Sequence, residues 1–77
     1  MQDLIKSLLE PLVENIKKVK IDETQEGSNI KYTIHIPKKD IAKVIGKEGR
    51  MIKSIKNLVK IRSIKEGSFT TIEVEEA

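Results

Sequence analysis

Ile41-Ala42-Lys43-Val44-Ile45-Gly46-Lys47-Glu48-Gly49-Arg50-Met51-Ile52-Lys53-Ser54-Ile55 is the stretch that decides the fold of this 77-residue chain. Apolar residues recur at helical spacing on both sides of a Gly-x-x-Gly, so the stretch reads as two helices joined by a glycine elbow. Neither glycine puts a Cβ in the way of a close approach to the main chain. The second helix points its unbonded N–H groups and the positive end of its dipole at the elbow, which suits an anion such as a phosphodiester. An ordinary helix cap followed by a turn has the same pattern. The surrounding residues decide between the two.

Charge is the first of these surroundings. The net charge of +3 is unevenly spread: Lys38 to Lys65 holds ten Lys and Arg against Asp40 and Glu48, a local +8, while the remainder carries −5. Clustered cations centred on the glycine pair point to an anionic partner, because neutralising a phosphate backbone releases its counterions. A solvated helical face is the plainer source of such a run.

On the N-terminal side, Leu4, Ile5, Leu8, Leu9, Leu12, Val13 and Ile16 form a stripe of 3.6-residue period, which predicts a helix over 2–18. Pro11 lies inside it and removes the N–H that would bond the Ser7 carbonyl, so a kink or break is expected there. Strands are expected over about 19–26 and 30–36. In the second, Ile30, Tyr32, Ile34 and Ile36 alternate with Lys31, Thr33 and His35, and Glu26-Gly27-Ser28-Asn29 supplies the hairpin turn. Pro37 ends that strand, and Asp40 is placed to cap a short helix over 40–45. A longer helix over 49–62 and a last strand over 69–75 complete the order α-β-β-α-α-β. Three strands and three helices with one aliphatic face make an α+β two-layer sandwich: a three-stranded sheet with helices on one face, a single domain over 1–77.

Several function classes fall away. The chain has no cysteine, hence no disulfide and no thiolate metal site or nucleophile. No metal-ligand spacing is present, and neither a cofactor nor a small-molecule substrate is expected. The single histidine, His35, shares strand parity with Lys31 and Thr33 on the polar side, a poor place for a general base. Gly46-Lys47 fails as a phosphate loop of nucleotide triphosphatases, because Ile41 stands where that loop needs glycine and Glu48 where it needs Ser or Thr. The dinucleotide-binding Gly-x-Gly-x-x-Gly is absent. No apolar run approaches the roughly 20 residues of a membrane span, and no secretory leader is recognisable, so a non-catalytic cytoplasmic protein is expected.

Val44-Ile45-Gly46-Lys47-Glu48-Gly49-Arg50-Met51-Ile52-Lys53-Ser54-Ile55 resembles the signature of the KH domain, V-I-G-x-x-G-x-x-I-x-x-I, at every specified position. The preceding α-β-β order is similar to the bacterial, type II form, and the chain resembles the small bacterial single-KH RNA-binding proteins. In such modules the Gly-x-x-Gly loop clamps about four backbone nucleotides while bases lie in an adjoining groove. The resemblance implies that Gly46 and Gly49 allow close approach of single-stranded RNA, with Lys47 and Arg50 supplying charge and Lys43 and Lys53 extending it. Ile45 lines the groove or joins the core. Glu48 subtracts attraction for phosphate but complements the helix dipole. An RNA chaperone or post-transcriptional regulator is the implied role. With one Tyr and one Phe, the chain lacks the aromatic platform of the sheet-based RNA binders.

Met51, Ile52, Ile55, Leu58 and Val59 share one side of the second helix and read as core, whereas Ile61 and Ile64 fall off it. Leu58, Ile61 and Ile64 are the candidate dimer surface. The resemblance implies a homodimer, or a heterodimer with another KH-domain protein; the alternatives are a subunit that chiefly dimerises with a larger RNA-binding partner and a ribosome-associated assembly factor.

Overall fold

The computed structural model describes Met1–Ala77. Its first helix, α1, spans Gln2–Leu9 and buries Ile5 and Leu9. The helix expected over 2–18 therefore stops half-way. Pro11 cannot donate to Ser7, and the chain passes through a 3-10 turn at Glu10–Leu12 to an extended Val13. A second 3-10 turn, Ile16–Lys18, opens at Asn15, whose side-chain oxygen accepts the Lys17 N–H at 3.0 Å. Leu12, Val13 and Ile16 still pack against the core. The apolar stripe continues past the proline because compact turns satisfy the same burial without a continuous helix.

Strands β1 (Lys20–Glu26) and β2 (Asn29–Ile36) form an antiparallel hairpin whose turn places Gly27 at φ +61°. Strand β3 (Phe69–Glu76) pairs in parallel with the other side of β2, giving a mixed sheet in the order β1-β2-β3. A parallel neighbour needs a crossover, and the two intervening helices provide it: α2 (Lys38–Ile45) and α3 (Arg50–Lys65). The architecture is thus an α+β two-layer sandwich with its helices on one face of a three-stranded sheet.

Register decides what each face carries. Ile21, Ile34 and Val74 form one cross-strand row on the helix-covered side, with Tyr32 and Ile72 in the next. Tyr32, Ile34, Ile36 and Ile72 join Ile5, Leu9, Val19, Val44, Ile55 and Val59 in one buried cluster. Burial, together with the Glu23 carboxylate facing it from β1, pushes the Tyr32 phenol up to about 12. The opposite face is open and its charges meet across the strands: Lys31 with Glu73 at 3.2 Å, and His35 with Asp22 at 2.8 Å and Glu75 at 3.7 Å.

Three further expectations need correction. Helix α2 begins at Lys38 behind Pro37, not at Asp40, and Asp40 caps nothing. It sits buried in the first turn, where its Oδ2 accepts the Glu14 N–H at 3.4 Å and ties the post-proline segment to α2. Helix α3 runs past residue 62 to Lys65 and ends where Gly67 turns at φ +75°. Its buried face is Ile55, Val59 and Ser63, with Ile52 partly covered, while Met51 and Leu58 are exposed. Ser63 takes an interior position because it is fully bonded there: its Oγ donates to the Ser68 carbonyl at 2.9 Å and meets the hydroxyls of Ser68 and Thr70.

Candidate nucleic-acid interface

The elbow between α2 and α3 is built from three left-handed residues within four. Gly46 has φ +76° and ψ 176°, Glu48 φ +57° and ψ 25°, and Gly49 φ +74° and ψ 14°. The Gly46 N–H caps α2 on the Ala42 carbonyl at 2.8 Å, and the Gly49 N–H returns to the Gly46 carbonyl at 3.2 Å, closing a short 3-10 turn over Lys47–Gly49. The two glycines are needed for different reasons. A Cβ on Gly46 would lie 2.6 Å from Met51 Cβ, so that position is sterically closed as well as conformationally glycine-like. A Cβ on Gly49 would meet nothing within 4 Å, and only its backbone angles favour glycine.

This turn presents Lys47 and Glu48 to solvent and starts α3 at Arg50 with no side-chain cap. The Arg50 N–H is taken by the Lys47 carbonyl, and the N–H groups that follow it at the start of this 16-residue helix have no side-chain cap. Lys43, on the last turn of α2, and Lys53, on the first of α3, are both exposed and flank the elbow. Glu48 reaches back to Arg50 at 3.8 Å, a loose exposed pair. Lys39 is occupied by Glu14, whose carboxyl it holds below the usual carboxylate range by hydrogen bond and charge. Lys43, Lys47, Lys53, Lys56 and Lys60 have no carboxylate partner.

The sequence leaves Ile45 between groove and core. It is 38% exposed, whereas Val44 beside it is wholly buried, so Ile45 stands outside the core next to the elbow. Beyond the elbow, α3 continues the cationic line in a way the sequence reading did not single out. Lys56, Asn57 and Lys60 face Thr70, Thr71 and Ile72 of β3 across a shallow cleft of about 230 Å³. The spacing of Arg50, Lys53, Asn57 and Lys60 puts them on one side of α3, a visible signal. That this side borders the free edge of β3 depends on the parallel docking of the last strand.

The candidate dimer residues separate. Leu58 and Ile61, 49% and 55% exposed, line a cleft of about 320 Å³ with Leu4 and Leu8 of α1 and with Arg62 and Lys65. Ile64 turns to the other side of α3 and borders a small cavity with Phe69.

A family model described as KhpA/KhpB, KH domain, matches residues 2–75. The chain is similar to the RNA-binding protein KhpA of Caldanaerobacter subterraneus subsp. tengcongensis, 32% identical over 74 residues that cover 96% of this chain and 99% of that protein. It is also similar to proteins of that name from Listeria monocytogenes, 37% identical over 59 residues (77% of this chain, 78% of the relative). The corresponding protein of Chlamydia caviae is 41% identical over 59 residues (77% of this chain, 76% of the relative).

Proposed function

This chain belongs to the KhpA/KhpB KH-domain family, and from that premise we propose that it is a non-catalytic RNA-binding protein that grips single-stranded RNA by its backbone at the Gly46–Gly49 elbow. The observation that carries this reading is the elbow itself: a turn of positive φ whose bare main chain at Gly49 faces open space beside the start of α3, ringed by unpaired lysines. In it, Gly46 and Gly49 admit the sugar–phosphate chain, Lys47 and the N–H groups of α3 meet phosphate, and Lys43, Arg50 and Lys53 widen the attraction. Ile45 offers an apolar surface to a base, while Glu48, by holding Arg50, limits the pull. Such a clamp reads bases weakly, which suits an RNA chaperone or a post-transcriptional regulator.

The test replaces Lys47 and Glu48 by aspartates together. The Lys47→Asp/Glu48→Asp protein should keep its circular dichroism spectrum and lose affinity for a single-stranded oligoribonucleotide by about tenfold or more at low salt. Unchanged affinity in a folded variant refutes the clamp. A parallel titration with DNA of the same sequence tells whether the ribose contributes, since phosphate contacts alone discriminate little.

A second activity is favoured by the exposed cleft of Leu4, Leu8, Leu58 and Ile61: pairing with a second copy of this chain or with another KH-domain protein. One domain holding so few nucleotides gains from a linked neighbour. Ile61→Asp should reduce the mass in solution of a self-associated protein to that of the monomer while leaving the elbow intact. A native protein that is already monomeric and takes up no KH partner ends this reading.

A further inference from the structure

Glu14 is the carboxylate set against the lysines of α2, and it reaches them from another segment of the chain. Lys39 binds it, and the Glu14 carboxyl is held below the usual carboxylate range chiefly by that hydrogen bond and charge, with lesser help from Lys18 and Lys43. Three lysines from two stretches of chain thus act on a single oxyanion. Lys18 closes the 3-10 turn Ile16–Lys18, whereas Lys39 and Lys43 lie four residues apart on α2, about 6 Å along its axis. In the sequence Lys18 belongs to the acidic remainder. The return of the chain behind Pro11 brings it to the basic segment.

Packing sets Glu14 in this place. Its N–H donates to Oδ2 of the buried Asp40 at 3.4 Å, and Leu12, Val13 and Ile16 around it pack against the core. The Glu14 and Lys39 side chains nevertheless lie in solvent, where an ion pair holds weakly and yields to a competing anion. A phosphodiester offers lysine the same kind of charged oxygen. The direction of the lysines matters as well. Asp40 and Val44 mark the buried side of α2; Ile41 and Ile45 follow them by one residue, while Lys39 and Lys43 precede them by one. At 3.6 residues per turn these two pairs fall on opposite flanks of the helix. A strand gripped at the elbow can therefore keep its bases beside Ile45 and send its phosphates along the rear flank.

We propose that Lys18, Lys39 and Lys43 form a phosphate subsite for single-stranded RNA on the rear flank of α2, which the Glu14 carboxylate fills in the free protein and vacates when a strand leaving the elbow reaches it. The inference rests on the proposed function of the elbow. Lys43 belongs to both sites and joins them. Only an oligonucleotide longer than the stretch held at the elbow gains from the subsite, and Glu14 subtracts from that gain.

The experiment titrates the full chain with oligoribonucleotides of four and eight nucleotides. Lys18→Gln/Lys39→Gln should weaken the eight-nucleotide complex about fivefold or more at low salt and lower its log–log salt slope by about one unit. The four-nucleotide complex should stay within about twofold of native. Glu14→Gln should tighten the eight-nucleotide complex about two- to threefold, whereas Glu73→Gln, the same charge change on the open sheet face, should not. Native affinity for eight nucleotides in the folded double variant overturns the subsite; loss of binding in Lys47→Asp/Glu48→Asp would then leave the clamp standing. Equal tightening by Glu14→Gln and Glu73→Gln reduces Glu14 to bulk charge and refutes its displacement. If adding Glu14→Gln to the double variant restores native affinity, the freed carboxylate rather than the missing lysines caused the loss, and the subsite is again refuted. Failure of the native protein to bind either oligonucleotide overturns both readings.

Discussion

The two exposed faces of this domain treat charge in opposite ways. On the open face of the sheet, acids and bases meet across strands: Lys31 with Glu73, His35 with Asp22 and Glu75. On the helical face the acids are fewer: Glu14 engages Lys39, Glu66 holds Arg62 at 3.2 Å and Glu48 loosely holds Arg50, while Lys43, Lys47, Lys53, Lys56 and Lys60 stand unpaired. A face whose charges are satisfied internally offers little to a polyanion, whereas unpaired cations on a rigid helix pair leave their field available to one. Net charge hides this difference, because +3 is the residue of a basic helical segment and an acidic remainder.

The contrast can be broken most forcefully by neutralising each face in turn. Lys43→Gln, Lys47→Gln and Lys53→Gln together should lower single-stranded RNA affinity about tenfold or more and flatten its salt dependence by about two units of log–log slope. Lys31→Gln on the sheet should change neither, and an equal loss in both proteins would erase the distinction. The glycines come next. Gly46→Ala should destabilise the fold by about 2 kcal/mol or more in urea unfolding, because strained backbone and the close approach to Met51 act together. Gly49→Ala, with open space, should cost only about 1 kcal/mol. Smaller still, Glu48→Gln should release Arg50 and tighten RNA binding about two- to threefold, measured at low salt.

The smallest effect tests the one helical-face lysine that is already engaged. Glu14 titrates below its ordinary 4.5 because Lys39 bonds and neutralises it. A depressed carboxylate stabilises the fold above its unfolded pKa and ceases to as pH falls through the lower, folded value. Native protein should therefore lose slightly more stability than Glu14→Gln when acidified below about pH 4.5. Both groups are fully exposed, so coincident acid-unfolding curves would show solvent to screen the pair completely.

What the sequence disclosed follows from how local each determinant is. Alternation of Ile30, Tyr32, Ile34 and Ile36 marks β2, because a strand with one wet face repeats every two residues. The glycine pair marks the elbow for the same local reason. The extent of α1 was harder, since Leu12, Val13 and Ile16 keep their inward phase after the helix has ended. Asp40 looks like a cap by type and position, and only the return of the post-proline segment makes it an interior acceptor. The core face of α3 is turned from the expected one, with Met51 and Leu58 outside, because β3 and α1 press on it from two sides. The cleft of Lys56, Asn57 and Lys60 depends on residues of β3, and no helical periodicity could report it.

The parallel pairing of β3 with β2 also fixes an order of events. Helices α2 and α3 and their elbow all lie in the loop that this pairing closes, a span of more than thirty residues between Ile36 and Phe69. Closing such a loop precedes the contacts that reward it, which slows assembly relative to the local hairpin. During synthesis, β1 and β2 can pair while the elbow is still held at one end only. The helix pair gains its final orientation, and the cleft beside Lys56, Asn57 and Lys60 its second wall, only once Phe69–Glu76 has emerged and docked. Ribosomal pausing before that strand would leave a marginal two-stranded hairpin and an elbow without its final setting.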